Sequence, residues 1–447
     1  MTRQLHLNAI YSAAGGSLGG WRHADAPARA GVDFPFIAAQ ARKLEAAAFD
    51  AIFIADLLAV PDSSHPRVIE KVATVNDSLE PLTLLAALAA VTDRIGLVGT
   101  ASTTYNHPYA LARAFASLDH LSRGRAGWNV VTSLIDAEAR NYGVPAHLDH
   151  ADRYRRADEF LDVVYGLWDS FDDDAFVWDA AGGRVFHEHA LHRLDHVGEF
   201  FRVTGPLNIA RPPQGRPVIA QAGASPAGRD VAGRHGELIF SGASRLEEAV
   251  GYADDLRRRA QAAGRSSHDI LLFPALSPIV ASTRAEAEDS FASIAELLHP
   301  RVALGDLEYW LGGVDLTAYD YDGPLPRFAQ TNQSHSTQER IYETARRENL
   351  TIRQFVERRL RAEQTVVGTP TEVADHIHEW FEAGAADGFN VSFPALPGTL
   401  DSFVELVVPE LRRRGLFRER YTGTTLREHL GLSRPVSGRR RVSAEAV

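Results

Sequence analysis

The chain alternates short apolar runs with stretches in which apolar residues recur every three or four positions, and it does so eight times. LHLNAIYS (5–12) precedes FPFIAAQARKLEAAAF (34–49), and AIFIADLL (51–58) precedes, after a polar connection, PLTLLAALAAVT (81–92). IGLVGTAS (95–102) precedes PYALARAFASLDHL (108–121), and AGWNVVTS (126–133) precedes DRYRRADEFLDVVYGLWDSF (152–171). PVIAQAG (217–223), ELIFSGA (237–243), LLFPALSPIVA (271–281) and GFNVSFP (388–394) are followed in the same way. Near-continuous apolar runs predict strands buried on both faces, as in a parallel sheet. Repeated strand–helix alternation predicts the α/β class. Eight units predict a (β/α)8 TIM barrel, with a doubly wound open sheet as second choice.

Three stretches break the pattern: residues 59–79, 172–216 and 300–367. They read as long insertions after strands 2, 4 and 7, placed so that several can cover one mouth of the barrel. Residues 1–433 read as a single domain and 434–447 as a disordered tail.

The predicted strands end in polar residues although their bodies are apolar. The ends read Tyr11-Ser12, Asp56, Thr100-Ala101-Ser102, Asn129 with Thr132-Ser133, Gln221-Ala222-Gly223 and Ser241. A barrel carries its active site at these ends. A buried polar group without a partner costs about 1–3 kcal/mol. A ring of them fits a ligand rich in donors and acceptors; each one singly also fits a helix cap.

Two helix starts sharpen this picture. In QAGASPAGR (221–229), Ser225 before Pro226 is an N-cap followed by proline in the first turn. Free amides there make an anion site or, equally, an ordinary capped helix. In HADRYRRADEF (150–160), His150 and Tyr154 share a face. They can grip a phosphate together, or belong to a solvated, salt-bridged helix start. GGWRHADA (19–26) places His23 beside Trp21 and Arg22, either in a substrate pocket or in a self-packed loop. FHEHALHRLDH (186–196) is rich in histidine, but its spacing fits no zinc pattern.

Composition narrows the chemistry. There are no cysteines, which excludes disulfides and thiolate chemistry. Lys43 and Lys71 are the two lysines among 47 basic residues, so Schiff-base chemistry has almost no candidates. The net charge of −11 argues against nucleic acid as a partner. No apolar run approaches the roughly 20 residues of a membrane span, and the N-terminus lacks a secretory signal. A cytoplasmic protein is expected.

The segments FDAIFIAD, TASTTYNHPYALARAFASLDHLSRGRAGWNVVTS, DRYRRADEFLDVVYGLWDS, DHVGEFFRVTGPLN and PQGRPVIAQAGASPAGRDVAGRHGELIF resemble the bacterial luciferase-like flavin-dependent monooxygenases. The resemblance is strongest to the branch of nitrilotriacetate, dibenzothiophene-sulfone and long-chain alkane monooxygenases, and spans nearly the whole chain. It implies the oxygenase component of a two-component monooxygenase. Such an enzyme uses reduced FMN (FMNH2) and O2, through a flavin C4a-(hydro)peroxide, on a small organic compound bearing sulfur or nitrogen. A separate NAD(P)H:flavin reductase would supply the flavin, and a homodimer or homotetramer is usual. The resemblance places Asp56, Ser102 and Asn129 at the flavin ring, and His150, Tyr154, Ala224 and Ser225 at its phosphate. It makes His23 the catalytic candidate and implies no metal. Where the family often has two serines, this chain has Ala224-Ser225. A deazaflavin-dependent oxidoreductase and a non-catalytic flavin-binding protein are the alternatives.

Overall fold

The computed structural model describes residues 3–60, 70–72, 77–332, 334–360 and 364–438. Eight parallel strands close into a barrel: His6–Ile10, Ala51–Ile54, Gly96–Ser102, Ala126–Val131, Val218–Gln221, Leu238–Ser241, Leu271–Val280 and Gly388–Ser392. Each pairs with the next in chain order. The eighth returns to the first in the register His6↔Gly388 through Ile10↔Ser392.

The strand alternation divides the core in two. Ala51, Phe53, Val98, Val218, Ala220, Leu238 and Phe273 cluster inside the barrel with Leu426 and Leu430 from the C-terminal region. The opposite faces of the same strands meet the helices outside. Trp128 packs against Phe115 at 5.4 Å and Phe160 at 5.8 Å, on helices Pro108–Leu121 and His150–Trp168. The barrel floor is sealed by Leu426. A Cβ at Gly96 would stand 2.5 Å from its Cδ1, so only glycine leaves it room.

Helix starts follow local chemistry. Proline occupies the first turn at Pro81, Pro108, Pro226 and Pro370, and Glu80, His107, Ser225 and Thr369 accept a backbone amide just ahead. Arg125, which opens the fourth strand's run, is buried. It donates to the carbonyls of Ser122, Ile95, Thr92 and Ala89, tying a helix end to the barrel floor.

The structure departs from the sequence expectation in four places. The fourth strand ends at Val131, and Ser133 takes a left-handed backbone (φ 61°) that no strand accommodates. Residues 172–216 contain two short antiparallel pairs, Phe176–Asp179 with Arg184–Phe186 and His196–Val197 with Arg202–Val203. Residues 300–367 contain helices Pro300–Trp310, His335–Arg347 and Ile352–Leu360 and run into an unanticipated strand, Thr365–Gly368. That strand pairs with Ser277–Val280, the outer half of the ten-residue seventh strand. Finally, residues 434–438 are not a loose tail. Arg434 pairs with Asp173 at 2.6 Å and the Gly438 amide donates to Asp169 at 3.0 Å. Residues 439–447, and 61–69 and 73–76 of the first insertion, lie outside the described residues. Among the described residues no helix is long and apolar enough to cross a membrane.

Candidate active site

A cavity of about 740 Å³ opens at the carboxyl ends of the strands. Of the predicted strand ends, Asp56, Thr132-Ser133 and Gln221-Ala222-Gly223 line it, together with helices Pro300–Trp310 and His335–Arg347 of the third insertion, whereas Tyr11-Ser12, Thr100-Ala101-Ser102, Asn129 and Ser241 do not.

At one corner Ser225 caps helix Pro226–His235, its Oγ accepting the Gly228 amide at 3.2 Å. Gly223 and Gly228 touch through bare backbone. A Cβ at Gly223 would lie 2.8 Å from Gly228 Cα and 3.2 Å from the Tyr154 hydroxyl. Burial outweighs the pull of Ser225, Arg153 and Thr132 near that hydroxyl and pushes its pKa up. His150, in the first turn of its helix, stacks on His335 with ring centroids 4.5 Å apart. Burial first, then His335 and Arg153, push His150 down to about 4, so at neutral pH it is an uncharged donor. Three helix starts, at His150, Pro226 and His335, thus meet around one hollow, with Ala224 on its wall. Their free amides suit an anion.

On the strand side, Asn129 donates to Thr100 Oγ1 at 2.9 Å, leaving its own Oδ1 buried without a partner. Gln221 Oε1 is likewise buried and unpartnered, and Gln221 lines the cavity. Ser102 lies behind the wall; its Oγ bonds Ser133 Oγ at 2.9 Å and accepts the Thr104 amide. Asp56 lines the cavity. Burial, reinforced by Glu80 and Glu138, pushes its carboxyl up to about 6, against the Leu57 amide. The folded chain therefore favours the protonated form. This residue's contribution is favourable at low pH and is lost as pH rises from about 4 to about 6. Asp56→Asn should raise the melting temperature of the flavin-free protein at pH 8 and leave it unchanged near pH 4. An equal gain at both pH values would show that the carboxyl's charge is not what costs stability.

His23 is not with the others. It ends the turn Gly20–Arg22, its Nδ1 accepts the Asp25 amide at 3.3 Å, and it does not line the cavity. The same loop meets the mouth through Gly16, Ser17 and Leu18, while Gly19 and Gly20 press on the backbone of Leu297 and Pro394. His23 is half-buried beside the mouth rather than on the cavity wall. The histidine run is also dispersed. His196 bonds Glu159 at 2.9 Å and His192 faces Asp172 at 3.1 Å. Among the described residues no group of three metal-binding side chains assembles.

Several wall residues were not singled out from the sequence. Arg153, 1% exposed, donates to the carbonyls of Ser133 and Asn332 and so ties the insertion to the barrel. Glu138 accepts the amides of Leu58, Leu134 and Ile135, fixing two loops. His335 and Arg340 come from the insertion. Ser334, the N-cap whose side chain accepts the Thr337 amide, was the available signal for them.

Residues 16–387 match the family model for luciferase-like monooxygenases. The chain is 50% identical over 433 residues to a pristinamycin IIA synthase subunit of Streptomyces pristinaespiralis, covering 97% of each. It is 44% identical over 441 residues to nitrilotriacetate monooxygenase component A of Aminobacter aminovorans, again covering 97% of each. A riboflavin lyase solved with a modified FMN and riboflavin superposes with a TM-score of 0.86 at 36% identity, covering 97% of both chains. The chain belongs to the luciferase-like monooxygenase family. It is a flavin-dependent monooxygenase on a (β/α)8 barrel.

Proposed function

We propose that reduced FMN binds across this mouth, its phosphate held by His150, Tyr154, Ser225 and the Ala224 backbone, and its ring by Asp56 and Asn129. Ser102 acts from behind by fixing Ser133. The observation that carries this reading is the corner at Gly223. There a hydroxyl pair, an uncharged imidazole and the starts of three helices surround backbone stripped of side chains. The buried acceptor Gln221 Oε1, on the cavity wall, answers the donor-rich edge of a reduced flavin.

The enzyme is the oxygenase component of a two-component system, using reduced FMN and O2 on a small organic compound. Bound reduced flavin supplies the electrons that activate O2, and that chemistry belongs to the cofactor. The chain's own task is to position the ring and exclude water, and the third insertion walls the cavity for that purpose. A separate NAD(P)H:flavin reductase supplies the reduced flavin, and the substrate carries nitrogen or sulfur, as nitrilotriacetate monooxygenase does in the first case by name. The enzyme assembles as a homodimer or homotetramer. Val177, Trp178, Val185 and Val197, exposed on the two short strand pairs, offer an apolar surface for it. Monooxygenase relatives across the full chain disfavour the deazaflavin and non-catalytic alternatives.

The test is anaerobic titration with reduced and oxidised FMN, followed by oxygen uptake with an added flavin reductase. Tighter binding of the reduced form and substrate-dependent uptake are expected. Equal affinity for both forms would count against the reading.

A further inference from the structure

We propose that the substrate is a small carboxylate anchored by Arg340; this rests on the flavin reading above. Arg340 stands on helix His335–Arg347, which is held in place by Ile341, Tyr342 and Ala345 in the insertion's own apolar cluster with Leu307 and Phe355. Its guanidinium borders the large cavity, half-buried, just past the end of the sixth strand. A Cβ at Gly242 would stand 3.3 Å from Nη1, so the glycine keeps that approach open. Gln364 also reaches Gly242, donating to its carbonyl at 3.3 Å, and the Gln364 carbonyl accepts the Ser277 amide. Two uncharged groups, Gly242 and Gln364, thus stand beside Arg340.

Apart from Asp56, the other charged side chains of the cavity are already engaged. Arg153 donates to two carbonyls, Arg358 pairs with Glu348, and Glu138 accepts three amides. Asp306 accepts from Trp310, and Asp56 lies at the end of the second strand. Among the described residues Arg340 has no carboxylate or carbonyl partner. A half-desolvated guanidinium without a counter-ion is unfavourable, and its planar fork matches a carboxylate bidentately. Arg340 does not reach the smaller hollow at the phosphate corner. The hollow of about 670 Å³ beside His150 and Ser225 is bordered by His335 and Ser336 but not by Arg340.

The experiment uses enzyme loaded anaerobically with reduced FMN. Its probes are methylthioacetate, thiodiglycolate and iminodiacetate, each paired with its N-methylamide, with binding read from flavin absorbance. The wild type should bind at least one acid about tenfold more tightly than its amide. Arg340→Gln should abolish that preference and Arg340→Lys restore part of it, with reduced-FMN affinity unchanged in both. Three results overturn the assignment: no acid binds, acids and amides bind alike, or Arg340→Gln keeps the preference. A loss of reduced-FMN affinity in Arg340→Gln also overturns it, by moving Arg340 to the cofactor. Failure of the wild type to bind reduced FMN is a separate outcome, which removes the flavin reading itself.

Discussion

Ser225→Ala combined with Tyr154→Phe is expected to weaken reduced-FMN binding about a hundredfold, and each single change about tenfold. A hydrogen bond to a charged group is worth about 1.5–3 kcal/mol, and the two hydroxyls meet at one corner. Because Ser225 also caps a helix, its loss costs about 1 kcal/mol of stability on its own account. Ser225→Thr keeps a capping hydroxyl and should bind nearly as well as the wild type, which separates the two effects. Anaerobic fluorescence titration measures the affinities, and circular dichroism confirms the fold. Unchanged affinity in the double variant would remove the phosphate from this corner.

Asp50→Ala should destabilise the protein by about 3–5 kcal/mol, the cost of breaking a buried ion pair from one side. Asp50 is fully buried, 2.7 Å from Arg418 and 2.9 Å from His6, and accepts the Leu7 amide. Burial alone would raise its pKa, but Arg418 and His6 outweigh it and hold the carboxyl at about 2. Its stabilisation is therefore complete above its ordinary value near 4 and is lost as pH falls towards about 2. Chemical denaturation at pH 7 and pH 3 should show the variant's deficit shrinking in acid. Asp50→Leu with Arg418→Met should lose less than Asp50→Ala, because no charge is then left alone. A deficit independent of pH would assign the effect to packing.

The eight strands were legible because burial on both faces keeps most of their bodies apolar, as in AIFI at 51–54 and VIA at 218–220. Ser225 and its proline announced a helix start that the structure contains. What stayed hidden depends on contacts distant in sequence. The strand Thr365–Gly368 is four residues long, and its partner is the second half of LLFPALSPIV, which reads as one strand. Nothing local in GGWRHADA tells that Gly19 and Gly20 press on Leu297 and Pro394, the packing that seats this loop beside the mouth. Arg434 and Gly438 read as tail because Asp169 and Asp173, which hold them, lie some 265 residues earlier. The site was thus readable where one segment makes it, and unreadable where the third insertion completes it.

The floor plug has a consequence for biosynthesis. Leu426 fills the space that Gly96 and Gly127 leave open, with Leu430 in the same cluster, yet both are translated some 300 residues after those glycines. A nascent chain that has already paired all eight strands still has a hollow base exposed to water. The last step of burial must wait until residue 430 clears the ribosome, so that premature termination before it would yield a barrel with its strands paired and its floor missing.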